Sequence, residues 1–224
     1  MSTALLTRDA PIVVPPDVVD LDSFLDWIDT AELPEKTRLH FIDGETYVDD
    51  EMEEAFSHNQ LKTFLFIAIG LEVMERERGM FFTDGMLVVN RAAGLSCEPD
   101  GMFVLQSTLD SGRLEFARGK RSKGVATRVV GTPDVVIEIL SDGSVEKDEV
   151  KLYESYWKAG IPEYWLLDAR ADEIRFDLNR HGAGGYEAVE PVDGWRASGI
   201  FGKSIRITRR ESTVASYRVE WRNA

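Results

Sequence analysis

The chain of 224 residues is long enough for one compact domain with a sizeable hydrophobic core. Its 40 Asp and Glu residues outnumber 26 Lys and Arg residues, and the formal net charge is −14. This charge excludes a protein whose whole surface attracts nucleic acid or anionic lipid, although it is compatible with a local basic patch. One cysteine excludes an internal disulfide and a cysteine-rich zinc site. We expect a cytoplasmic protein, because one cysteine fits a reducing compartment and neither a signal peptide nor a membrane-spanning segment is apparent.

The N-terminal part of the chain predicts an arm, a helix and a hairpin. Residues 1–20 contain three prolines among scattered aliphatic residues, which is typical of an extended arm. Residues 20–37 carry Phe24 and Trp27 among charged residues and predict a short amphipathic helix. Residues 38–49 predict a β-hairpin, because Asp43-Gly44 is the two-residue turn signal between β-prone runs.

The remainder predicts strands on either side of two helices. Ser57 and Gln60 form a capping-box pattern, and apolar residues at helical spacing predict a helix that ends at Gly79. A second helix is predicted at 145–159, since Gly160 follows it directly. Strands are predicted at 80–90, 98–105, 129–140, 163–168 and 173–177, with short strands to about residue 207 after a glycine-rich turn. This order is typical of one α/β domain.

Two carboxylates lie where the strands are otherwise apolar. Asp100 follows Pro99 at the start of one strand, and Glu138 lies inside Val135-Val-Ile-Glu-Ile-Leu140. Because an unpaired buried carboxylate costs several kcal/mol, Glu138 must either have a protein partner or bind a cation. Asp100 on a neighbouring strand could approach Glu138, and two carboxylates with a backbone carbonyl and waters suit Mg²⁺ or Mn²⁺.

The chain contains Pro99-Asp100, then a strand with Glu138, then a helix that carries lysines. This order of features resembles the PD-(D/E)XK superfamily of restriction-endonuclease-like nucleases. The resemblance is closer to the Uma family, bacterial proteins assigned as endonucleases from sequence and structural similarity. It is carried by the sequence Pro133-Asp-Val-Val-Ile-Glu-Ile-Leu-Ser141, by Lys147-Asp148, by Tyr156-Trp-Lys-Ala-Gly-Ile-Pro-Glu-Tyr-Trp-Leu-Leu-Asp168, and upstream by Ile42-Asp-Gly-Glu45 and His58.

The resemblance implies an α/β (α+β) fold in which helices flank a restriction-endonuclease-like mixed central sheet, with extra β-hairpins. It covers about residues 36–210. We therefore expect an N-terminal arm with a short helix at 1–35, the nuclease domain at 36–210 and a C-terminal tail at 211–224.

The resemblance also implies a mechanism, the metal-dependent hydrolysis of phosphodiester bonds. Asp100 and Glu138 would ligate Mg²⁺ or Mn²⁺, which polarises the scissile phosphate and lowers the pKa of an attacking water. A lysine would orient that water and offset the charge that develops in the transition state. Glu45 and His58 would line the same cleft.

The lysine departs from the superfamily pattern. That pattern places it two residues after the glutamate, where this chain has Leu140. In the Uma family it usually moves to the following helix, at the position that Leu152 occupies here. Lys147 and Lys151 lie one helical turn apart on that helix, so either could reach the site, although lysines beside several glutamates are also typical of a solvated face.

One basic cluster lies between the two carboxylates, at residues 113–128. We predict that it contacts the phosphates of a nucleic acid through Arg118, Lys120, Arg121 and Lys123. A solvated loop without a ligand is the alternative.

The leading interpretation is a Mg²⁺- or Mn²⁺-dependent endonuclease that hydrolyses DNA, and by analogy a homodimer that cuts both strands. Two alternatives remain. The net charge, Leu140 and the displaced lysine favour a catalytically silent binding or structural module that retains the fold. An acidic chain would also suit a hydrolase of RNA or of a small phosphodiester.

Overall fold

The structure is a computed structural model that describes residues 3–5, 11–34, 37–49, 54–120, 124–210 and 213–223. Its helical segments are α1 (Leu21–Ile28), a π-helical turn (Ala55–Gln60) that continues into α2 (Leu61–Arg76), α3 (Gln106–Asp110), and a second π-helical turn (Lys147–Leu152) that continues into α4 (Tyr153–Lys158). No helix in these ranges is long and apolar enough to cross a bilayer.

The strands occupy most of the remaining chain. They are β1 (Thr3–Leu5), β2 (Ile12–Val14), β3 (Arg38–Ile42), β4 (Glu45–Asp49), β5 (Gly79–Thr83), β6 (Leu87–Asn90), β7 (Leu95–Cys97), β8 (Gly101–Leu105) and β9 (Leu114–Ala117). After these come β10 (Arg128–Gly131), β11 (Val135–Ile139), β12 (Glu163–Asp168), β13 (Arg175–Gly182), β14 (Gly185–Ala188), β15 (Arg196–Ser198), β16 (Lys203–Arg209) and β17 (Tyr217–Asn223).

The central sheet is mixed and 6-stranded, in the order β14-β13-β12-β11-β8-β5. β11 and β12 are parallel and are connected through α4, while the other neighbours are antiparallel. A parallel pair needs such a crossover, and both faces of its strands must then be covered. This explains why β11 and nearly all of β12 are buried. The predicted mixed sheet with flanking helices and extra hairpins is confirmed.

Three further sheets surround the central one. A second 6-stranded sheet has the order β4-β3-β7-β6-β10-β9, β15-β16-β17 form an antiparallel C-terminal sheet, and β1 pairs with β2. One face of the central sheet packs against α2 and the C-terminal sheet through residues such as Phe103, Trp165 and Ile205. The other face packs against α4 through Tyr156 and Tyr164. Residue 210, the expected end of the nuclease domain, lies between the paired strands β16 and β17. The domain boundaries stay a prediction.

Several local predictions are confirmed and others are corrected. The β3–β4 hairpin turns at Asp43 and Gly44, which have φ angles of 52° and 81° as a tight two-residue turn requires. The capping-box prediction at Ser57 and Gln60 was wrong. The carboxylate of Glu54, three residues earlier, accepts the backbone N–H groups of Phe56 and Ser57 instead.

The end of the first long helix was also predicted wrongly. α2 ends at Arg76, after which Glu77 takes a left-handed conformation with φ 50°. Gly79 instead begins β5, where a Cβ would collide with the backbone carbonyl of Val104 on the neighbouring strand. The predicted strands at 80–90 and 129–140 are each divided between the two large sheets, because short irregular segments at 84–86 and 132–134 interrupt them.

Candidate active site

The two predicted carboxylates lie opposite each other at one end of the central sheet. β8 and β11 are antiparallel, and Gly101 is the partner of Ile137, so that the next position in this register places Asp100 beside Glu138. The Asp100 N–H donates a 3.4 Å hydrogen bond to Glu138 Oε2. Both residues are buried, with exposed fractions of 7% and 4%. The sequence prediction that these two side chains approach each other agrees with this geometry.

Asp100 is surrounded by hydrogen-bond donors. Lys62 on α2 donates to Oδ1 at 2.8 Å, and the backbone N–H of Ile139 donates to Oδ2 at 2.8 Å. His58 Nε2 lies 3.4 Å from Oδ2. Burial alone would raise the pKa of the Asp100 carboxyl, but His58 and Lys62 outweigh it and hold that pKa well below its ordinary value. Asp100 is therefore an ionised carboxylate.

Glu138 has the opposite electrostatic character. The phenol of Tyr156 donates to Oε1 at 2.6 Å, and the Cys97 thiol donates in turn to the phenol oxygen at 3.3 Å. Burial raises the pKa of Glu138 well above its ordinary value, and the charges of Asp148 and Asp100 raise it further. Without a cation the neutral form of Glu138 is therefore favoured, and ionising both members of the pair requires additional positive charge.

The π-helical turn before α4 brings Lys147 and Asp148 to the same end of the sheet. Lys147 Nζ lies 2.9 Å from Asp49 Oδ2 and 3.5 Å from Asp148 Oδ1. Burial alone would lower the pKa of Lys147, but Asp148 and Asp49 raise it above its ordinary value, so the ammonium stays protonated. Burial raises the pKa of Asp148 to about 6 although Lys147 opposes the shift. The other π-helical turn carries His58, and such turns are frequent at functional sites.

These side chains line one concave pocket. Its lining among the described residues is Arg38, Asp49, His58, Glu98, Asp100, Glu138, Ile139, Ser141, Ser144, Lys147 and Asp148. Five of these residues are carboxylates, against the two permanent cations Arg38 and Lys147. Oxygen donors in this excess suit a hard divalent cation.

The donor set fits a magnesium-type cation. Asp148 Oδ1 is buried and accepts no hydrogen bond from the described residues, and the pKa of Glu138 is raised by burial and further by neighbouring negative charge. Within the described ranges, no three His, Cys, Asp or Glu side chains form a complete metal cage. Mg²⁺ does not require one, since it is commonly held by one or two carboxylates together with water and substrate phosphates.

Glu45 and Lys151, two other predicted site residues, lie together outside this lining. Lys151 Nζ is 3.8 Å from Glu45 Oε2, and the Glu45 side chain is 65% exposed. Glu45 also accepts a hydrogen bond from the phenol of Tyr47. Of the two candidate lysines on the second helical segment, the structure therefore brings Lys147 to the carboxylates and places Lys151 on the surface.

The predicted nucleic-acid-binding segment lies against α1. Lys120 Nζ is 2.6 Å from Asp26, and Arg128 is 2.5 Å from Asp29. Arg118 is exposed, whereas Arg121 and Lys123 lie outside the described residues. Asp26 of α1 and Asp29 directly after it thus compensate part of the positive charge on this segment.

Sequence reasoning missed Lys62 and Asp49. The usable signal for Lys62 was its position, because it follows His58 by four residues and lies between Leu61 and Leu65, both fully buried. A lysine at a buried helical position requires a carboxylate partner. No local signal indicated Asp49, which reaches the pocket from the β3–β4 hairpin, 98 residues from Lys147.

Comparison with known proteins identifies the family and the fold of the chain. The model of the Uma2 family, described as "Putative restriction endonuclease", matches residues 21–208. The chain belongs to this family. A solved structure from Anabaena variabilis ATCC 29413, described as a "putative nuclease belonging to DUF820", has the same fold with a TM-score of 0.60 and 20% identity. The match covers 82% of this chain and 90% of that one. No curated protein was found to match the sequence.

Proposed function

We propose that the protein is an endonuclease that hydrolyses DNA phosphodiester bonds with Mg²⁺ or Mn²⁺ bound at Asp100 and Glu138. The observation that carries the proposal is the buried carboxylate pair on adjacent strands, next to a protonated lysine in an acidic pocket. Membership in the Uma2 family supports nuclease activity, and restriction-endonuclease-like nucleases generally use divalent metals.

Asp100 and Glu138 would hold the cation through one or two of their oxygens, while Asp148 adds negative charge behind them. The cation would supply Lewis-acid polarisation of the scissile phosphate and would acidify a water near it. Tyr156 holds Glu138 in place through its 2.6 Å hydrogen bond, and the backbone N–H of Ile139 fixes Asp100. Such supporting hydrogen bonds orient the ligands of a metal.

Lys147 is the cation that we propose for transition-state stabilisation. It is protonated, and Asp49 and Asp148 hold its ammonium in the pocket. A positioned positive charge stabilises the negative charge that develops on a phosphate during hydrolysis. His58 would contact the substrate or orient Asp100. Lys151, which lies beside exposed Glu45, is the alternative candidate for the role of Lys147.

We also propose that residues 118–123 contact DNA, that the protein is a homodimer and that it is cytoplasmic. A dimer would present two pockets to the two strands of a duplex.

Cleavage of labelled single- and double-stranded DNA and RNA with Mg²⁺ or Mn²⁺ at low salt tests the proposal. Wild type and Glu138→Ala are compared with and without EDTA. We expect wild type to cut DNA, and both the variant and EDTA to abolish cutting. Cleavage of RNA alone would change the substrate class, and no cleavage of any substrate would favour a silent module. Equal cleavage by both proteins would place the site elsewhere.

A further inference from the structure

The C-terminal segment of the chain has a charge opposite to that of the whole protein. Residues 195–224 contain seven Lys and Arg residues but only two Glu residues, in a chain whose net charge is −14. Most of this segment forms the C-terminal sheet β15-β16-β17. A basic surface on an acidic protein concentrates polyanions locally, although the average field repels them.

The pairing of β16 with β17 puts arginines on the solvent face of this sheet. Ile205 and Tyr217 are buried against the central sheet, so the alternate positions of both strands point outwards. Arg218 is opposite Thr208, and Arg222 is opposite Ser204. Both arginines are exposed. Four residues of strand separate them by about 13 Å, a spacing that reaches more than one phosphate of a nucleic-acid strand.

The exposed arginines of this face are available to an anion. Arg206 is paired with Glu220 at 2.9 Å, but no described carboxylate pairs with Arg218 or Arg222. The guanidinium carbons of Arg206 and Arg222 each lie 4.5 Å from the centroid of the Trp195 ring. Stacking on an aromatic ring restrains a guanidinium and leaves its N–H edge free to bind phosphate.

One end of the face forms a concave site lined by Thr208, Arg209, Arg210 and Arg218. The guanidinium groups of Arg210 and Arg218 and the Thr208 hydroxyl are a donor set that suits phosphate oxygens. The Arg209 side chain lies on the inward face with Ile205 and Tyr217, where it stacks on Tyr217 and donates hydrogen bonds to backbone carbonyls just after β12.

The Arg209 side chain, on the inward face of β16, connects the C-terminal sheet to a segment next to the candidate active site. Arg209 donates to the carbonyls of Ala169 and Ala171, which flank Arg170. Arg170 in turn contacts Asp142, next to Ser141 in the pocket lining. Since β11 and β12 are parallel, the end of β16 that carries Arg209 and the carboxylate pocket lie at the same end of the central sheet.

We propose that the solvent face of β16 and β17, with Arg218 and Arg222 at its centre, binds the phosphate backbone of the nucleic acid whose bond is hydrolysed at the pocket. The inference rests on the proposed function for the identity of the ligand. Binding here positions the substrate through its backbone and carries no sequence preference.

Fluorescence anisotropy of a short labelled DNA duplex tests this, with EDTA present so that no cleavage occurs. The test variant is Arg218→Gln/Arg222→Gln. The matched control is Arg91→Gln/Lys158→Gln, which removes two charges from surface ion pairs on other parts of the molecule. The logarithm of the binding constant falls linearly with the logarithm of the salt concentration, and each lost phosphate contact makes this slope shallower by about 0.9. We therefore expect the slope to become shallower by about 1.8 in the test variant and to stay unchanged in the control.

An unchanged slope in the test variant, or an equal decrease in the control, would overturn the inference. A variant that binds DNA normally but sediments differently from wild type would also overturn it, because the face would then contact a second copy of the chain.

Hydrolysis of bis(4-nitrophenyl) phosphate distinguishes the proposed binding face from the proposed nuclease activity, since this small substrate reaches only the pocket. We expect the variant to retain the wild-type rate. If wild type hydrolyses nothing while the slope still falls, the binding face stands and the nuclease activity does not.

Discussion

Replacing Lys62 with methionine removes the ammonium that lies 2.8 Å from Asp100 Oδ1 and 2.6 Å from Asp84 Oδ1. The side chains of Lys62 and Asp100 are only 6% and 9% exposed, whereas Asp84 is 38% exposed and remains solvated without its partner. Methionine has a similar length and fills the space. The variant therefore isolates one change, a buried carboxylate that has lost its nearest cation.

The expected destabilisation is about 3 kcal/mol. At 2.8 Å the attraction is about 6 kcal/mol for an effective dielectric constant of ~20, but burying both charges offsets part of it. Removing one partner of a buried pair costs about 3–5 kcal/mol. The lower value applies because the Ile139 N–H and His58 still contact Asp100. For a chain of this size the loss lowers the melting temperature by about 6–12 °C.

Differential scanning calorimetry without metal and with Mn²⁺ measures this effect. Lys151→Met is the control, since its 3.8 Å contact with exposed Glu45 contributes less than about 1 kcal/mol. Mn²⁺ at 100 times its dissociation constant should restore about 2.7 kcal/mol to Lys62→Met, because it replaces the lost positive charge beside Asp100. A melting temperature equal to that of the control, or no recovery with Mn²⁺, would refute this reasoning.

Three other perturbations follow from the same geometry. Tyr156→Phe should weaken Mn²⁺ binding about 10–100-fold in calorimetric titrations, since Glu138 loses the hydrogen bond that orients it; wild-type affinity would contradict this. Lys147→Met should slow single-turnover DNA cleavage at least about 100-fold, while Lys151→Met stays near wild type; the reverse order would assign the role to Lys151. Burial, and then Lys147, lower the pKa of His40 from 6.5 to about 3. Between pH 6.5 and about pH 3 the unfolded chain therefore binds more protons than the folded protein, and the free energy of unfolding falls as the pH drops below 6.5. Urea unfolding should show a loss of about 2 kcal/mol near pH 5 that His40→Asn abolishes, and an equal loss in both proteins would exclude His40 as its origin.

Features fixed by local sequence were predictable. The Asp43-Gly44 turn needs two left-handed residues, and few other dipeptides provide them. The apolar run around Glu138 is typical of a buried strand, and Asp100 directly precedes the antiparallel neighbour of that strand. The carboxylate pair was therefore available from strand patterns and the family resemblance together.

Features that depend on distant partners were not predictable. The position of Lys62 between Leu61 and Leu65 indicates a buried lysine, but the sequence does not identify its partner Asp100, 38 residues away. Lys147 and Lys151 share one helical face in sequence, and only the β3–β4 hairpin distinguishes them by offering Asp49 to one and Glu45 to the other. Likewise, the basic segment at 113–128 gave no sign that the acidic residues of α1 would face it.

A Mn²⁺ titration of the intact protein, followed by electron paramagnetic resonance, tests the central claim most directly. Wild type is compared with Asp100→Asn and Glu138→Gln, which retain the shape of each side chain but remove its charge. We predict saturable binding to wild type and at least about tenfold weaker binding to both variants, since each removes a ligand of the cation. Equal binding by all three proteins, or none by wild type, would contradict a metal site at this carboxylate pair.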